Sequence, residues 1–123
     1  MSLHFRPDLL QVEVTGDVTV VKFTTPRFDD SNAVPIGQQL ADLVDRLGRH
    51  KLHLDLGQVE FLSGVGLAQL VALNQKVRAV GGELRLFNVG PMTYEVFAAT
   101  HLIGLLDIWS QEPGQHTLLG ASA

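Results

Sequence analysis

No cysteine occurs anywhere in the 123 residues, which excludes disulfides, thiolate metal sites and cysteine nucleophiles. Basic excess is missing as well. Nine Lys and Arg are outnumbered by thirteen Asp and Glu, the formal net charge is −4, and the longest basic run is Arg49-His50-Lys51. A nucleic-acid binder would normally carry a basic patch, so nucleic acid is not an expected partner. No apolar stretch approaches the ~20 residues needed to span a bilayer. The first residues also lack the basic start and apolar run of a secretory signal. A cytoplasmic chain without direct membrane insertion is therefore expected. What is present is a 46% hydrophobic, 18% charged composition, in a length that suits one domain. A domain near this size buries roughly two-thirds of its unfolded surface, so one core can suffice without covalent staples.

The apolar period switches repeatedly between about 2 and 3.6, the mark of alternating strands and helices. Val12-Glu13-Val14 and Val18 to Phe23 read as a hairpin turning at Thr15-Gly16-Asp17. Pro26 to Asn32 reads as a polar loop, with Ser31 or Asn32 as helix cap and Pro35 in the first turn. Ile36, Leu40, Leu43, Val44 and Leu47 then recur at helical spacing up to Gly48. Lys51 to Leu56 alternates strictly, placing Leu52, Leu54 and Leu56 on one face and His53 and Asp55 on the other. A turn at Gly57-Gln58 leads through Val59 and Phe61 to a second helix from Ser63. Its apolar face is Leu67, Leu70, Val71, Leu73, Val77 and Val80, and Gly81-Gly82 ends it. Glu83 to Asn88 is a strand, Met92 to Thr100 a helix anchored by Val96 and Phe97, and Leu106 to Trp109 a last strand. The order β-β-α-β-α-β-α-β predicts an α/β fold: a mixed five-stranded sheet, helices mainly on one face, right-handed crossovers and an antiparallel hairpin at one edge. One domain is expected over residues 1–109, with its core at about 11–109, and residues 110–123 are expected to form a flexible tail.

Little in the chain suggests catalysis. Of the five histidines only His50 and His53 are close in sequence, and three positions along a strand place them on opposite faces. Both read as solvated surface residues, and no spacing supplies further ligands, so no metal is expected. Asp29-Asp30 precedes the first helix and reads as capping that helix and complementing its dipole. Gly64-Val65-Gly66 lacks the Lys-Ser/Thr of a P-loop and the third Gly of a dinucleotide fingerprint. Ser63 stands where the second helix needs an N-cap. The same position also admits a sharper role, because the free N–H groups and positive dipole end there would stabilise a phosphate. Beside it Val65, Ala68 and Ala72 form a stripe of small apolar residues, either an approach surface for a partner or a face packed under another helix.

His53-Leu54-Asp55-Leu56-Gly57-Gln58-Val59-Glu60-Phe61-Leu62-Ser63-Gly64-Val65-Gly66-Leu67 resembles the central motif of STAS domains, of the bacterial anti-sigma-factor-antagonist type. That motif is a strand with an Asp, a Val-x-Phe pair, then Asp-Ser-Ser-Gly-Leu opening a helix. Gly16-Asp17 through Asn32-Ala33 looks like the family's hairpin and loop. Gly81-Gly82 through Gly90-Pro91 looks like its Gly-Gly, strand and Asn-Val-x-Pro stretch, and Leu102-Ile103-Gly104-Leu105 before Asp107-Ile108 resembles its ending. The resemblance covers about residues 11–109.

That resemblance implies a non-enzymatic role in signal transduction and transcription regulation, with no catalytic residues and no cofactor. The implied partner is an anti-sigma factor/serine kinase or a related regulatory protein. The implied partner-binding residues, at the start of the second helix, are Ser63, Gly64, Val65, Gly66, Ala68 and Ala72. In the family the first Ser of Asp-Ser-Ser-Gly is phosphorylated by the partner, which is thereby released. Aligned without gaps, Ser63 falls on the family's Asp, Gly64 on the phosphorylated Ser, Val65 on the second Ser and Gly66 on the Gly. The usual phosphoacceptor is therefore absent, and Ser63 is the remaining candidate for phosphorylation. Two alternatives stay open: a structural STAS subunit of a stress-signalling scaffold or lipid-transport complex, and a nucleotide or small-ligand sensor using the Gly-rich helix start.

Overall fold

The computed structural model describes residues 9–100 and 106–109. The expected tail at 110–123 and the stretch 102–105 lie outside the described residues. The elements are β1 (Leu10–Thr15), β2 (Val18–Phe23), β3 (Arg27–Phe28), α1 (Ala33–Asp45), β4 (Lys51–Asp55), β5 (Phe61–Leu62), α2 (Gly64–Ala79), β6 (Glu83–Phe87), α3 (Pro91–Ala99) and β7 (Asp107–Trp109). Five of the strands form one mixed sheet in the order β1-β2-β4-β6-β7. The β1–β2 hairpin is antiparallel and the β2–β4, β4–β6 and β6–β7 pairs are parallel. This is the expected α/β architecture.

The hairpin turns at Gly16, whose φ of +63° lies in the left-handed region that glycine enters without a Cβ penalty. Strand alternation then sorts the sheet's two faces. Leu10, Val21, Phe23, Leu52, Leu54, Leu84, Leu86 and Ile108 are all buried on one face, in a single cluster with Ile36, Leu40, Leu43 and Val44 of α1 and Leu67, Leu70, Leu73 and Val77 of α2. Each buried Leu or Ile contributes roughly 1.5–3 kcal/mol relative to exposure. Val80 departs from the expected helix face: it is the C-cap residue and 47% exposed, because α2 ends one residue before it.

The opposite face carries His53, Asp55, Glu83, Arg85, Phe87 and Asp107, as the registers require. His53 corrects the expectation of a solvated histidine. Its side chain is only 12% exposed, with Nε2 2.9 Å from Glu83 Oε2 and the ring centroid 5.1 Å from that of Phe87. The reason is position: β4 is the middle strand, so neighbours on both sides enclose the ring. His50, outside the strand, is exposed.

Two further strands lie where a polar loop and a helix approach were expected. β3 and β5 pair in parallel, Arg27 with Phe61 and Phe28 with Leu62. Two residues are too few to show any apolar period, although Phe28 and Leu62 are buried. The entrance to α1 also differs from expectation. Asn32 occupies the N-cap but its side chain makes no cap bond. Instead its Nδ2 donates to the Arg27 carbonyl at 2.7 Å and its Oδ1 accepts from Asp29 N–H at 3.0 Å. That buried amide is committed to the exit of β3 and cannot also reach forward. Asp29 likewise serves its own loop, accepting from Ser31 N–H, Ser31 Oγ and Arg27 Nε.

Candidate docking site at the start of the second helix

The parallel strands β2, β4 and β6 deliver the chain to one end of the molecule, and α1, α2 and α3 all begin there. The start of α2 is held most firmly. Ser63 is its N-cap, with extended backbone (φ −85°, ψ 169°) and Oγ accepting from Gly66 N–H at 3.1 Å. The Ser63 N–H donates to the Phe28 carbonyl at 3.0 Å, and Leu67 N–H donates to the Ser63 carbonyl at 2.9 Å. Glu60 and Phe61 N–H both donate to the Pro26 carbonyl, at 2.7 and 3.1 Å. The helix start is thereby tied to β3 through backbone on both sides of the β3–β5 pair.

The residues singled out from the sequence do not all share one surface. Gly64 and Val65 are exposed, Val65 at 40%, and Ala68 and Ala72 face solvent on the same helix. No helix among the described residues covers that stripe. Gly66 points the other way and is buried. A Cβ there would lie 2.5 Å from the Phe28 carbonyl oxygen, so glycine lets α2 approach β3. A Cβ on Gly64 would meet nothing within 4 Å.

The sequence reading missed Phe61. Its pairing with Val59 suggests two core residues, and Val59 is buried, yet Phe61 is 43% exposed. A turn in which Val59 N–H donates to the Leu56 carbonyl interrupts the extended chain, so the two do not share a strand face. The Arg27 guanidinium lies 4.5 Å from the Phe61 ring centroid, a cation–π contact, while Arg27 Nε reaches Asp29 Oδ2 at 2.9 Å. Arg27, Asp29, Asp30, Ser31, Phe61 and Ser63 line a shallow groove of about 400 Å³. Val34 at the start of α1 and Met92 at the start of α3, 52% and 72% exposed, add apolar surface at this end. Only the arrangement of three helix starts around one sheet end could have signalled them.

The loops beneath are braced by two residues of the sequence motif. Asp55 Oδ1 accepts from Gly57 N–H at 2.9 Å and from Asn88 Nδ2 at 3.0 Å. Asn88 holds φ at +59°, a region Asn tolerates better than most side chains. The carboxylate therefore joins the exits of β4 and β6. Among the described residues, no cluster of three or more His, Asp or Glu is placed to hold a metal ion, and no helix is long and apolar enough to cross a membrane.

Comparison with known proteins adds four findings. The sequence profile of the STAS domain matches residues 10–113. A Bordetella bronchiseptica protein named BtrV, as an anti-sigma factor antagonist, is 30% identical over 80 residues, spanning 65% of this chain and 68% of its own. The anti-sigma-B factor antagonist of Bacillus subtilis is 27% identical over 105 residues, 85% of each chain. The crystal structure of an anti-sigma factor antagonist from Mycobacterium paratuberculosis matches with a TM-score of 0.75 at 27% identity, covering 86% of this chain and 90% of that one.

Proposed function

The chain belongs to the STAS domain family, as a domain of the anti-sigma-factor-antagonist type, and from that premise we propose that it is a non-enzymatic regulator that docks a protein partner through the start of α2. The partner is an anti-sigma factor/serine kinase or a related regulatory protein. The observation that carries this reading is the exposed apolar set Phe61, Val65, Ala68 and Ala72 beside a rigidly capped helix start. Aromatic and Arg side chains such as Phe61 and Arg27 are the usual anchors of protein interfaces. A binding role also suits the Ser63 hydroxyl, which is used as the cap of a backbone N–H. A nucleotide-sensing role fits less well, since Gly64-Val65-Gly66 lacks the Lys-Ser/Thr of a P-loop and the third Gly of a dinucleotide fingerprint.

Docking here runs without the family's usual phosphate control. Gly64 occupies the acceptor position and offers no hydroxyl, and the Ser63 hydroxyl one residue earlier serves as the cap of α2. Titration of the purified protein against the anti-sigma factors and serine kinases of its own genome tests the reading. A complex is expected at micromolar concentration or below, weakened roughly tenfold or more by Phe61→Ala. No complex with any of them would sink it. Gly64→Ser fits the open space and is expected to gain one phosphate by intact mass in the presence of a cognate kinase, while the native chain stays unmodified. Modification of the native chain at Ser63 would refute control-free docking.

The missing hydroxyl at position 64 also suits a constitutive subunit of a larger assembly, such as a stress-signalling scaffold or lipid-transport complex. Stable co-purification with an ATPase or permease subunit would favour that second reading.

A further inference from the structure

β1 forms one edge of the five-stranded sheet, and no strand lies beside it among the described residues. Natural sheet edges are commonly guarded by Pro, Lys, a bulge or very short length. β1 has none of these devices. Leu10-Gln11-Val12-Glu13-Val14-Thr15 runs six residues in unbroken register with β2, and its single charge is Glu13.

The backbone groups that face outward follow from the pairing. In an antiparallel ladder, opposed residues alternate between pairs that exchange hydrogen bonds and pairs that do not. Thr24 N–H donates to the Leu9 carbonyl at 2.8 Å, and these two residues continue the β1–β2 register. Counting along from there, Gln11, Glu13 and Thr15 bond to β2, whereas Leu10, Val12 and Val14 direct N–H and C=O toward the open edge. The same three side chains lie on the helix-covered face. Leu10 is buried, Val12 packs partly against the core, and Val14 is 58% exposed. The residues offering backbone bonds at the edge are therefore its apolar residues.

We propose that this edge pairs with β1 of a second copy of the chain, antiparallel, about a two-fold axis through Val12. Pairing must oppose outward-facing residues, which leaves few registers. With Val12 opposite Val12, Leu10 of each copy meets Val14 of the other, and all three outward residues bond. The apolar row then continues across the seam and covers Val14. On the other sheet face Gln11 lies opposite Glu13, an amide against a carboxylate. Shifting one way brings Glu13 opposite Glu13, which like charges disfavour, and leaves Leu10 without a mate. Shifting the other way leaves Val14 uncovered. The strand is self-complementary in one register, as a two-fold interface requires. Because the two β1 strands run oppositely, the two α2 starts point to opposite ends of the dimer, and both stay open to a partner.

Sedimentation equilibrium tests the association, and cross-linking tests the register. The native chain is expected to show a concentration-dependent dimer of twice its 13.4 kDa mass. The absence of native cysteine lets Val12→Cys place one thiol on the axis. Opposed Cα atoms in a bonded pair lie ~5.5 Å apart, within disulfide range. Mild oxidation should therefore cross-link Val12→Cys roughly tenfold faster than Val80→Cys, an exposed control away from the edge. Val14→Lys sets an ammonium against Leu10 of the other copy and should raise the dimer dissociation constant roughly tenfold or more. Val14 already faces solvent, so that variant keeps the fold. Val12→Pro should also give monomer, since it removes an N–H that β2 does not use. A native chain that stays monomeric up to millimolar concentration overturns the proposal. So does Val12→Cys cross-linking no faster than the control, or Val14→Lys dimerising like the native chain.

Discussion

Gly64 and Gly66 share one helical turn, yet they tolerate a side chain very differently. A methyl group on Gly66 would press on the Phe28 carbonyl oxygen and lie 3.0 Å from Leu62 Cδ1. Gly66→Ala is expected to cost ~1–3 kcal/mol, the range for overfilling packed space, read as a lower denaturation midpoint. Gly64 is helical, is not among the glycines of positive φ, and has open space around it. Gly64→Ala should therefore stabilise by about 0.4–1 kcal/mol, chiefly by restricting the unfolded chain. Ser63→Ala removes the acceptor for Gly66 N–H and should cost ~1 kcal/mol. If Gly66→Ala unfolds at the native midpoint, α2 does not rest on β3 as described. The cap is legible in the sequence because a cap acts within three positions. The need for glycine at 66 is not, because its neighbour Phe28 comes from a remote strand of two residues.

At the scale of elements, the long periodic segments are readable and the short ones are not. α1 and α2 announce themselves through Ile36-Leu40-Leu43 and Leu67-Leu70-Leu73, since burial on one side imposes the helical period. β3 and β5 carry no such record, and the loop joining β3 to α1 uses its polar side chains inward. In that loop Asp29 has its carboxyl held below the usual 3.8, first by the Ser31 hydroxyl bond and then by Arg27. A carboxyl depressed in the folded state binds protons less readily there than in the unfolded chain. Its contribution to stability is thus present above the unfolded value and is lost as pH falls through the folded one. The loop is expected to hold at neutral pH and to loosen only in acid below about 4. Ser31→Ala should move the Asp29 titration back up toward 3.8, as followed by carboxyl ¹³C NMR. A titration that does not move would show that the hydroxyl bond is not what holds the carboxyl down.

Across the whole molecule, charge and apolar surface are distributed unevenly. At the end away from the proposed docking site three cations are matched by carboxylates: Lys51 with Asp17 at 2.8 Å, Lys76 with Asp45 at 2.9 Å and Arg46 with Asp42 at 3.6 Å. At the proposed docking end Arg27 is matched by Asp29, while Asp30, which lines the same groove as Phe61, and Glu60, next to Phe61 in the chain, stand exposed. The motif from Leu54 to Leu67 draws attention to the start of α2 as the proposed site, but the acidic rim there and the exposure of Phe61, Val34 and Met92 emerge only when three helix starts converge. Such a rim should steer a basic partner surface, and rim charges act mainly on the association rate. Neutralising both carboxylates, Asp30→Asn with Glu60→Gln, should slow association roughly two- to tenfold at low salt and leave dissociation nearly unchanged. Phe61→Ala should do the reverse, speeding dissociation with little change in association. Raising the salt shortens the Debye length from ~10 Å at 0.1 M to ~3 Å at 1 M, and the native association rate should fall toward that of the double variant. Stopped-flow mixing with the partner across that salt range separates the two effects. Salt-independent association of the native protein would mean that the acidic rim plays no part in the encounter.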